Sequence, residues 1–224
     1  VITVFMALFG INFNLYFFLL IGNFKSVFKN EELRVYLGIM LSAMVVIALD
    51  ILPHYGSFGT ALRYSAFQVS SVMTTTGFST ADFNLWPQLS KTILVLLMFC
   101  GAMAGSTGGG IKASRLLLMF RMAKNALKRM LHPRSVHTVK MDGKIVGDET
   151  LAGVSTFMIL YIAIAVISVL LLSFDGFDSE TNFTAMAACL NNIGPGLGAV
   201  GPMGSFASYS CFSKIVLSFD MLFG

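Results

Sequence analysis

The sequence has 224 residues, of which 56% are hydrophobic and 12% are charged. Soluble domains carry about 25% charged residues, so the composition excludes an ordinary soluble protein and predicts an integral membrane protein. The three cysteines have no metal-ligand spacing, and the formal net charge of +4 follows from one basic segment described below.

The first predicted element is a membrane span over residues 1–22, since roughly 20 apolar residues cross about 30 Å of hydrocarbon. Asn12 and Asn14 lie in its middle and are expected to face protein rather than lipid. A short charged loop follows, and residues 35–52 are predicted to form a second span. Because the sequence starts and stops inside apolar runs, we interpret it as a piece of a longer membrane protein.

Residues 59–73 are predicted to form a helix that dips into the membrane without crossing it. This length gives about 22 Å of helix at about 1.5 Å per residue, and the helix contains polar side chains. Residues 74–79 follow without a helical pattern and contain three threonines and Gly77. Residues 181–190 lead in the same way into residues 191–196, so the arrangement of span, short helix and extended segment occurs twice.

A glycine-rich interruption separates predicted helices over residues 89–104 and 111–131. Its six residues are Gly105, Ser106, Thr107, Gly108, Gly109 and Gly110. Each glycine costs about 1 kcal/mol inside a helix, which predicts a break here. Non-helical backbone at membrane depth is tolerated only against protein or water, so we expect this break to face a pore.

One segment, residues 112–144, holds nine basic residues and a single acid, Asp142. The positive-inside rule makes this segment cytoplasmic. A nucleic-acid surface would also be basic, but interleaved aromatic residues are nearly absent, so no nucleic acid is expected as a partner. A further span over 151–173, an acidic outer loop and a final helix from Lys214 complete the chain.

These elements predict an all-α membrane protein built from repeats of span, pore helix and span, with re-entrant filter segments. The predicted divisions are 1–33, the last span of one repeat and its cytoplasmic loop; 34–145, a complete repeat with its glycine break and basic linker; and 146–224, a further repeat.

The two extended segments suit a cation pathway. A cation that leaves water loses its hydration shell, and rings of backbone carbonyls replace that shell without adding full charges. Gly77 and Gly194 allow the unusual dihedral angles that turn successive carbonyls to one side. Threonine hydroxyls or asparagine amides add oxygen atoms or fix the backbone, and the carboxyl ends of the short helices carry partial negative charge.

Residues 73–79, 104–112 and 191–196 together resemble the Trk/Ktr/HKT superfamily of potassium transporters, and most of all its bacterial Trk-type membrane subunits. The resemblance implies four span–pore–span repeats around one pathway, in a multi-pass protein of the bacterial inner membrane. It implies that Thr75, Thr76 and Gly77, with Asn192, Ile193 and Gly194, form the selectivity filter. The carbonyls of Thr75, Thr76, Asn192 and Ile193 would hold K⁺, and residues 105–110 would form a gating loop. Selectivity for potassium over sodium is expected because both filter glycines are present.

The resemblance also implies partners: the transported potassium ion, with no covalently bound cofactor, membrane lipid, a cytosolic nucleotide-binding regulatory subunit, and a second copy in a full-length homodimer. Residues 121–144 are the candidate docking surface, although their charge also fits membrane topology and anionic lipid alone. A proton- or sodium-coupled symporter on the same scaffold is the alternative function, with Asp220 or Asp50 as coupling residue. An enzyme is not expected, since His54, His132 and His137 are predicted on both sides of the membrane and Ser106 lacks an activating partner.

Overall fold

The computed structural model describes residues 1–132 and 138–224. Within these residues the chain forms eleven α-helices, one two-stranded hairpin and four short 3₁₀ turns. The helices are α1 (Ile2–Phe9), α2 (Phe13–Leu20), α3 (Phe24–Lys29), α4 (Glu31–Asp50), α5 (Leu52–Tyr55), α6 (Phe58–Met73), α7 (Gln88–Met98), α8 (Ala113–Leu131), α9 (Asp148–Leu172), α10 (Ser179–Leu190) and α11 (Cys211–Phe223). The strands are β1 (Lys140–Met141) and β2 (Lys144–Ile145).

Two helices of the described residues are long and apolar enough to cross a membrane, namely α4 and α9, and α1 with α2 make a third candidate if they count as one bent span. The predicted helical membrane fold is therefore confirmed. Helix α4 starts earlier than predicted because Asn30 caps it by accepting a hydrogen bond from the Leu33 amide (2.8 Å).

The first predicted span is not one straight helix. Helices α1 and α2 meet at an angle of 96°. Asn12 caps α2 by accepting from the Asn14 amide (2.8 Å), and the backbone groups left over at the bend bond to the glycine break. The Phe13 amide donates to the Gly105 carbonyl (3.1 Å), and the Met103 amide donates to the Gly10 carbonyl (3.0 Å). The bend is thus fixed by a segment that the sequence pattern treated as a separate feature.

Both predicted short helices form. Helix α6 has 16 residues and α10 has 12, so each is shorter than the roughly 20 residues that a span requires. Their carboxyl-terminal turns are fully buried, α6 against α4 and α10 against α9 and α11. One continuous apolar core includes Tyr36 of α4 and Met73 of α6 together with Met186 and Leu190 of α10. The helices around the first filter-like segment and those around the second therefore pack on the same core.

The glycine break is longer than predicted. Helix α7 ends at Met98 rather than at residue 104, and α8 begins at Ala113. The ends of this loop pair with each other: the Gly101 amide donates to the Ile111 carbonyl (2.8 Å), and the Ala113 amide donates to the Ala102 carbonyl (3.1 Å). A Cβ on Gly101 would lie 2.3 Å from the Ile111 carbonyl oxygen, so a side chain there would separate the two ends. Residues 99–112 form a closed loop.

The hairpin β1–β2 was not predicted. Asp142 and Gly143 have φ angles of 50° and 78°, as an Asp-Gly hairpin turn requires. The Asp142 carboxylate accepts from the Asn30 side chain (2.9 Å) and the Glu31 amide (2.8 Å), and Arg121 of α8 bonds the Glu31 carboxylate (2.9 Å). The hairpin therefore joins the start of α4 to α8. Arg134 and His137, which the sequence analysis assigned to the basic segment and the loops, lie outside the described residues.

Candidate functional site

The two segments that follow α6 and α10 have the same unusual backbone. Thr75 and Gly77 have φ angles of 55° and 77°, and Asn192 and Gly194 have φ angles of 54° and 108°. A positive φ at a residue other than glycine is uncommon and costs energy, and such residues concentrate at functional sites. The same strained position thus occurs in both segments, two residues before the glycine.

The amides of these segments point back at the helices. The amides of Thr76 and Gly77 donate to the Ser71 carbonyl (2.9 and 3.3 Å), and those of Ile193 and Gly194 donate to the Ala188 carbonyl (2.8 and 3.4 Å). In a planar trans peptide the N–H and the C=O point in opposite directions. The carbonyls that precede these amides therefore point away from the helices, and they belong to Thr75, Thr76, Asn192 and Ile193.

These four carbonyl oxygens accept no hydrogen bond from any residue between 1 and 132 or between 138 and 224. Ile193 is buried and Thr75 is half-buried, whereas Thr76 and Asn192 are exposed, so the four oxygens share the absence of a protein donor and are partly open to their surroundings. They are the four residues that the sequence resemblance assigned to a cation. The geometry leaves these oxygens free to coordinate a cation or to accept a hydrogen bond from a ligand.

Side chains hold the first segment in place from behind. The Thr74 hydroxyl donates to the Ser70 carbonyl (2.6 Å) and lies 2.8 Å from the Thr76 hydroxyl, and the Ser71 hydroxyl donates to the Phe78 carbonyl (2.5 Å). The sequence left open whether the threonine hydroxyls add oxygen ligands or fix the backbone. For Thr74 the structure favours the second role.

Different side chains hold the second segment. The buried Asn191 amide group donates to the Ala187 carbonyl (2.8 Å) and accepts from the Tyr161 hydroxyl of α9 (2.9 Å). Asn192 donates to the Met221 carbonyl of α11 (3.2 Å). Sequence reasoning missed Tyr161, because one tyrosine in the middle of a long apolar span carries no motif. Its only signal was a hydroxyl at a depth where polar atoms need a partner.

The two segments touch at Gly77. A Cβ on Gly77 would lie 1.8 Å from the Ile193 carbonyl oxygen, so any side chain would displace one segment from the other. No atom lies within 4 Å of the equivalent position on Gly194, where the φ of 108° alone requires glycine. The two glycines therefore serve different constraints at equivalent positions.

The glycine segment lies against both filter-like segments. The Gly109 amide donates to the Thr75 hydroxyl (2.7 Å), and a Cβ on Gly109 would lie 3.1 Å from the Asn191 carbonyl oxygen. A Cβ on Gly110 would lie 2.5 Å from the Asn191 side-chain oxygen, and one on Gly108 would lie 3.4 Å from the Thr74 carbonyl oxygen. Three glycines in a row allow this close approach.

The other half of the predicted gating loop faces elsewhere. Gly105 packs against Asn12 at the bend between α1 and α2, the Ser106 hydroxyl donates to the Met103 carbonyl (2.6 Å), and the Thr107 hydroxyl donates to the Phe9 carbonyl (3.4 Å). The structure thus divides residues 105–110 into an anchored half, 105–107, and a half in contact with the filter-like segments, 108–110.

Two charged side chains tether the loop. The carboxylate of Glu32, which is 4% exposed, accepts from the Ala104 amide (2.8 Å) and the Ser114 amide (3.0 Å), so it holds both the loop and the first turn of α8. The Lys112 ammonium donates to the Gly108 carbonyl. The sequence analysis placed Glu32 in a charged loop. The only sequence signal was an acid just before a predicted span, and its contact with the start of α8, which has no capping side chain of its own, is visible only in the structure.

Comparison with known proteins gives one consistent result. A family model named TrkH and described as a cation transport protein matches residues 1–224. The chain is 36% identical to the Trk system potassium uptake protein TrkH of Salmonella typhimurium and 34% identical to that of Escherichia coli K12; each alignment covers 100% of this chain and 47% of the relative. The crystal structure of the potassium transporter TrkH from Vibrio parahaemolyticus matches with a TM-score of 0.89 and 36% identity, over 99% of this chain and 48% of that one. The chain spans about half the length of these relatives.

The hydrogen bond between Gly109 and Thr75 gives a direct test of the contact between the loop and the first segment. Thr75→Val removes the acceptor at nearly constant shape, and Thr75→Ser retains it. Hydrogen–deuterium exchange of peptides that cover residues 105–112 should become about fivefold faster in the valine variant, as the loss of a bond of about 1 kcal/mol implies. It should be unchanged in the serine variant. Equal protection in all three proteins would show that this bond does not hold the loop.

Proposed function

The chain belongs to the TrkH family of cation transport proteins, and from this premise we propose that the whole protein takes up potassium ions through a pathway lined by the carbonyls of Thr75, Thr76, Asn192 and Ile193. The observation that carries the proposal is that these four oxygens accept no hydrogen bond within the described residues and point away from the helices behind them. Backbone carbonyls in this arrangement replace the hydration shell of a cation.

The local electrostatics favour a cation. Helices α6 and α10 both end at the proposed pathway, and a helix carboxyl end carries about half a negative charge.

Potassium filters are built from four carbonyl-lined segments, and we propose that this chain contributes two of them. We therefore propose that two further segments of the whole protein complete the ring, which agrees with the chain's coverage of about half of its relatives.

Selectivity should depend on Gly77. Gly77→Ser adds a Cβ at a residue whose φ is 77°, and this Cβ would lie 1.8 Å from the Ile193 carbonyl oxygen. The two segments must therefore separate, which increases the distances between the carbonyl oxygens proposed to hold the ion. We expect the preference for potassium over sodium to fall about tenfold, equivalent to about 1.4 kcal/mol. Rubidium and sodium uptake by the whole protein in proteoliposomes measures this ratio.

Gly59→Ser is the matched control, because Gly59 lies in the first turn of α6, the helix that leads into the segment of Gly77, and no neighbouring atom lies within 4 Å of its Cβ position. Its ratio should equal that of the wild type. A Gly77→Ser protein that transports at the normal rate with an unchanged ratio would contradict the filter assignment.

We further propose that residues 108–110 act as the gate of this pathway. The support is their contact with Thr74, Thr75 and Asn191 on the side where the two short helices end. A run of three glycines can change its backbone conformation by small rotations, because its residues have no side chains.

Deleting Gly108, Gly109 and Gly110 should raise potassium influx, because the deletion removes the backbone that lies against the filter while the paired ends of the loop remain. The measurement is initial rubidium uptake per molecule inserted, together with the potassium-to-sodium ratio, which should be retained. A variant that is inserted normally but transports more slowly than the wild type would refute the gate.

We propose that a cytosolic nucleotide-binding subunit docks on residues 121–144. Only a few contacts connect this surface to the proposed gate. Arg121 bonds Glu31 (2.9 Å), and the neighbouring Glu32 holds the loop and the start of α8. Large apolar side chains beside the charges of α8 also suit a protein partner, since Phe120, Leu127 and Met130 are 73%, 63% and 79% exposed. Membrane topology and anionic lipid remain the competing explanation for the charges.

We propose the homodimer and the bacterial inner membrane on the family resemblance alone.

A coupled symporter is the second candidate, and one observation favours it. Asp220 of α11 is 2% exposed, and its Oδ1 accepts from the Ser168 hydroxyl (2.5 Å), whereas its Oδ2 has no partner within residues 1–132 and 138–224. An incompletely paired carboxyl group at membrane depth is a candidate for proton or ion coupling. Asp50, the other candidate, accepts from the Ser90 amide (3.1 Å) and hydroxyl (2.5 Å) at the first turn of α7, as a capping residue does.

For the symporter candidate, Asp220→Asn removes the exchangeable proton and should abolish the acceleration of rubidium uptake by an inward proton gradient. Asp50→Asn should retain that response with little change in stability, because asparagine caps a helix about as well as aspartate and its amide oxygen can still accept from Ser90. Uptake is compared in proteoliposomes at a fixed membrane potential with and without the gradient. A gradient response that survives in the Asp220→Asn protein would eliminate Asp220 as the coupling group.

A further inference from the structure

An apolar cleft of about 530 Å³ opens on the membrane-facing side of the molecule, between the glycine break, α9 and α10. Its walls include Phe99 and Ile111 from the two ends of the break, and its floor includes Met158 and Met186. The one hydroxyl among the lining residues, that of Tyr161, is already bonded to Asn191 (2.9 Å). A cleft of this chemistry does not hold ordered water.

The cleft has the length of a lipid chain. Its lining on α9 runs from Met158 to Leu170, which is about 18 Å at 1.5 Å per residue and close to the roughly 15 Å of one leaflet. Ile162, Val166 and Leu170 are 55%, 54% and 65% exposed along this line, so the cleft opens sideways rather than towards the pathway. Helix α9 is long and apolar enough to span a membrane, so its exposed apolar face suits contact with hydrocarbon.

A cation lies at one end of the cleft. Arg115 directly precedes the lining residue Leu116, and its guanidinium carbon lies 3.9 Å from the centre of the Phe157 ring, next to Met158. The Arg115 guanidinium forms no hydrogen bond or ion pair with any residue that the structure describes, and the nearby charge of Lys112 has the same sign. A charged side chain beside a membrane-spanning helix normally pairs with an anion or another polar group.

We propose that the cleft binds one anionic glycerophospholipid, with an acyl chain between α9 and the glycine break and its phosphate on Arg115. The guanidinium fork matches a phosphate group in geometry and charge. Charge complementarity and the single-chain length favour a lipid over a second copy of the protein. The bound chain contacts Phe99 and Ile111, and it therefore packs directly against both ends of the loop that carries the glycine segment.

The test uses the whole protein in nanodiscs of equal amounts of palmitoyl-oleoyl phosphatidylglycerol and phosphatidylcholine. The lipids that remain bound after transfer to mild detergent are identified by native mass spectrometry. The wild type should retain phosphatidylglycerol over phosphatidylcholine by about fivefold, as expected for one basic group at the membrane surface. Arg115→Gln should remove the preference, and Arg115→Lys and the control Lys128→Gln should retain it.

The apolar part of the site is tested separately. Ala165→Trp or the smaller change Val166→Phe fills the cleft and should lower retention of both lipids, whereas Ile167→Trp, on the exposed face of α9 outside the cleft, should not. An unchanged lipid preference in the Arg115→Gln protein overturns the proposal. The proposal is also overturned if the cleft-filling variants keep their lipids and change from dimer to monomer in sedimentation, because the cleft would then be an interface between copies.

Discussion

The structure depends on one constraint: a backbone group inside a membrane needs a hydrogen-bond partner in the protein, because lipid supplies none. This molecule contains four stretches of non-helical backbone between its apolar helices, namely the bend between α1 and α2, the glycine break and the two filter-like segments, and they largely satisfy one another. The bend between α1 and α2 bonds to Met103 and Gly105, the ends of the glycine break bond to each other, and the Gly109 amide bonds to Thr75. Against this background the carbonyls of Thr75, Thr76, Asn192 and Ile193 stand apart, because they accept no hydrogen bond within the described residues, and they are the oxygens that we propose line the pathway.

The two segments reach the same backbone with different side chains. In the first segment the Thr74 hydroxyl bonds to α6 and to the Thr76 hydroxyl, and the Thr75 hydroxyl accepts from the glycine break. Two asparagines hold the second segment, with help from Tyr161 of α9 and the end of α11. Both segments have a glycine two residues after the strained residue, Gly77 after Thr75 and Gly194 after Asn192. Repetition of architecture without repetition of sequence is therefore understandable, because the oxygen geometry is made by the main chain and each unit supports it with the neighbours that it has.

Local patterns predicted the short helices, the glycines of the two segments and the existence of the break, because length, spacing and glycine content act within a few residues. They did not predict the sharp bend after Phe9, the early end of α7 or the role of Glu32. Each of these depends on partners distant in the sequence: Asn12 and Phe13 meet Gly105, Gly101 meets Ile111, and Glu32 meets Ala104 and Ser114. The hairpin had an Asp-Gly turn signal, but its docking on Glu31 needed the folded α4 and α8.

The positive φ angle of Thr75 has a consequence for biogenesis. A strained backbone persists only when its surroundings enforce it, and the groups that enforce this one come from α6, from the break and, through Gly77, from the segment after α10. Helices can enter the bilayer one after another during synthesis, but this geometry has to wait until the last of those elements has arrived. The segments proposed to line the pathway are therefore the last part of this chain to reach their final backbone conformation.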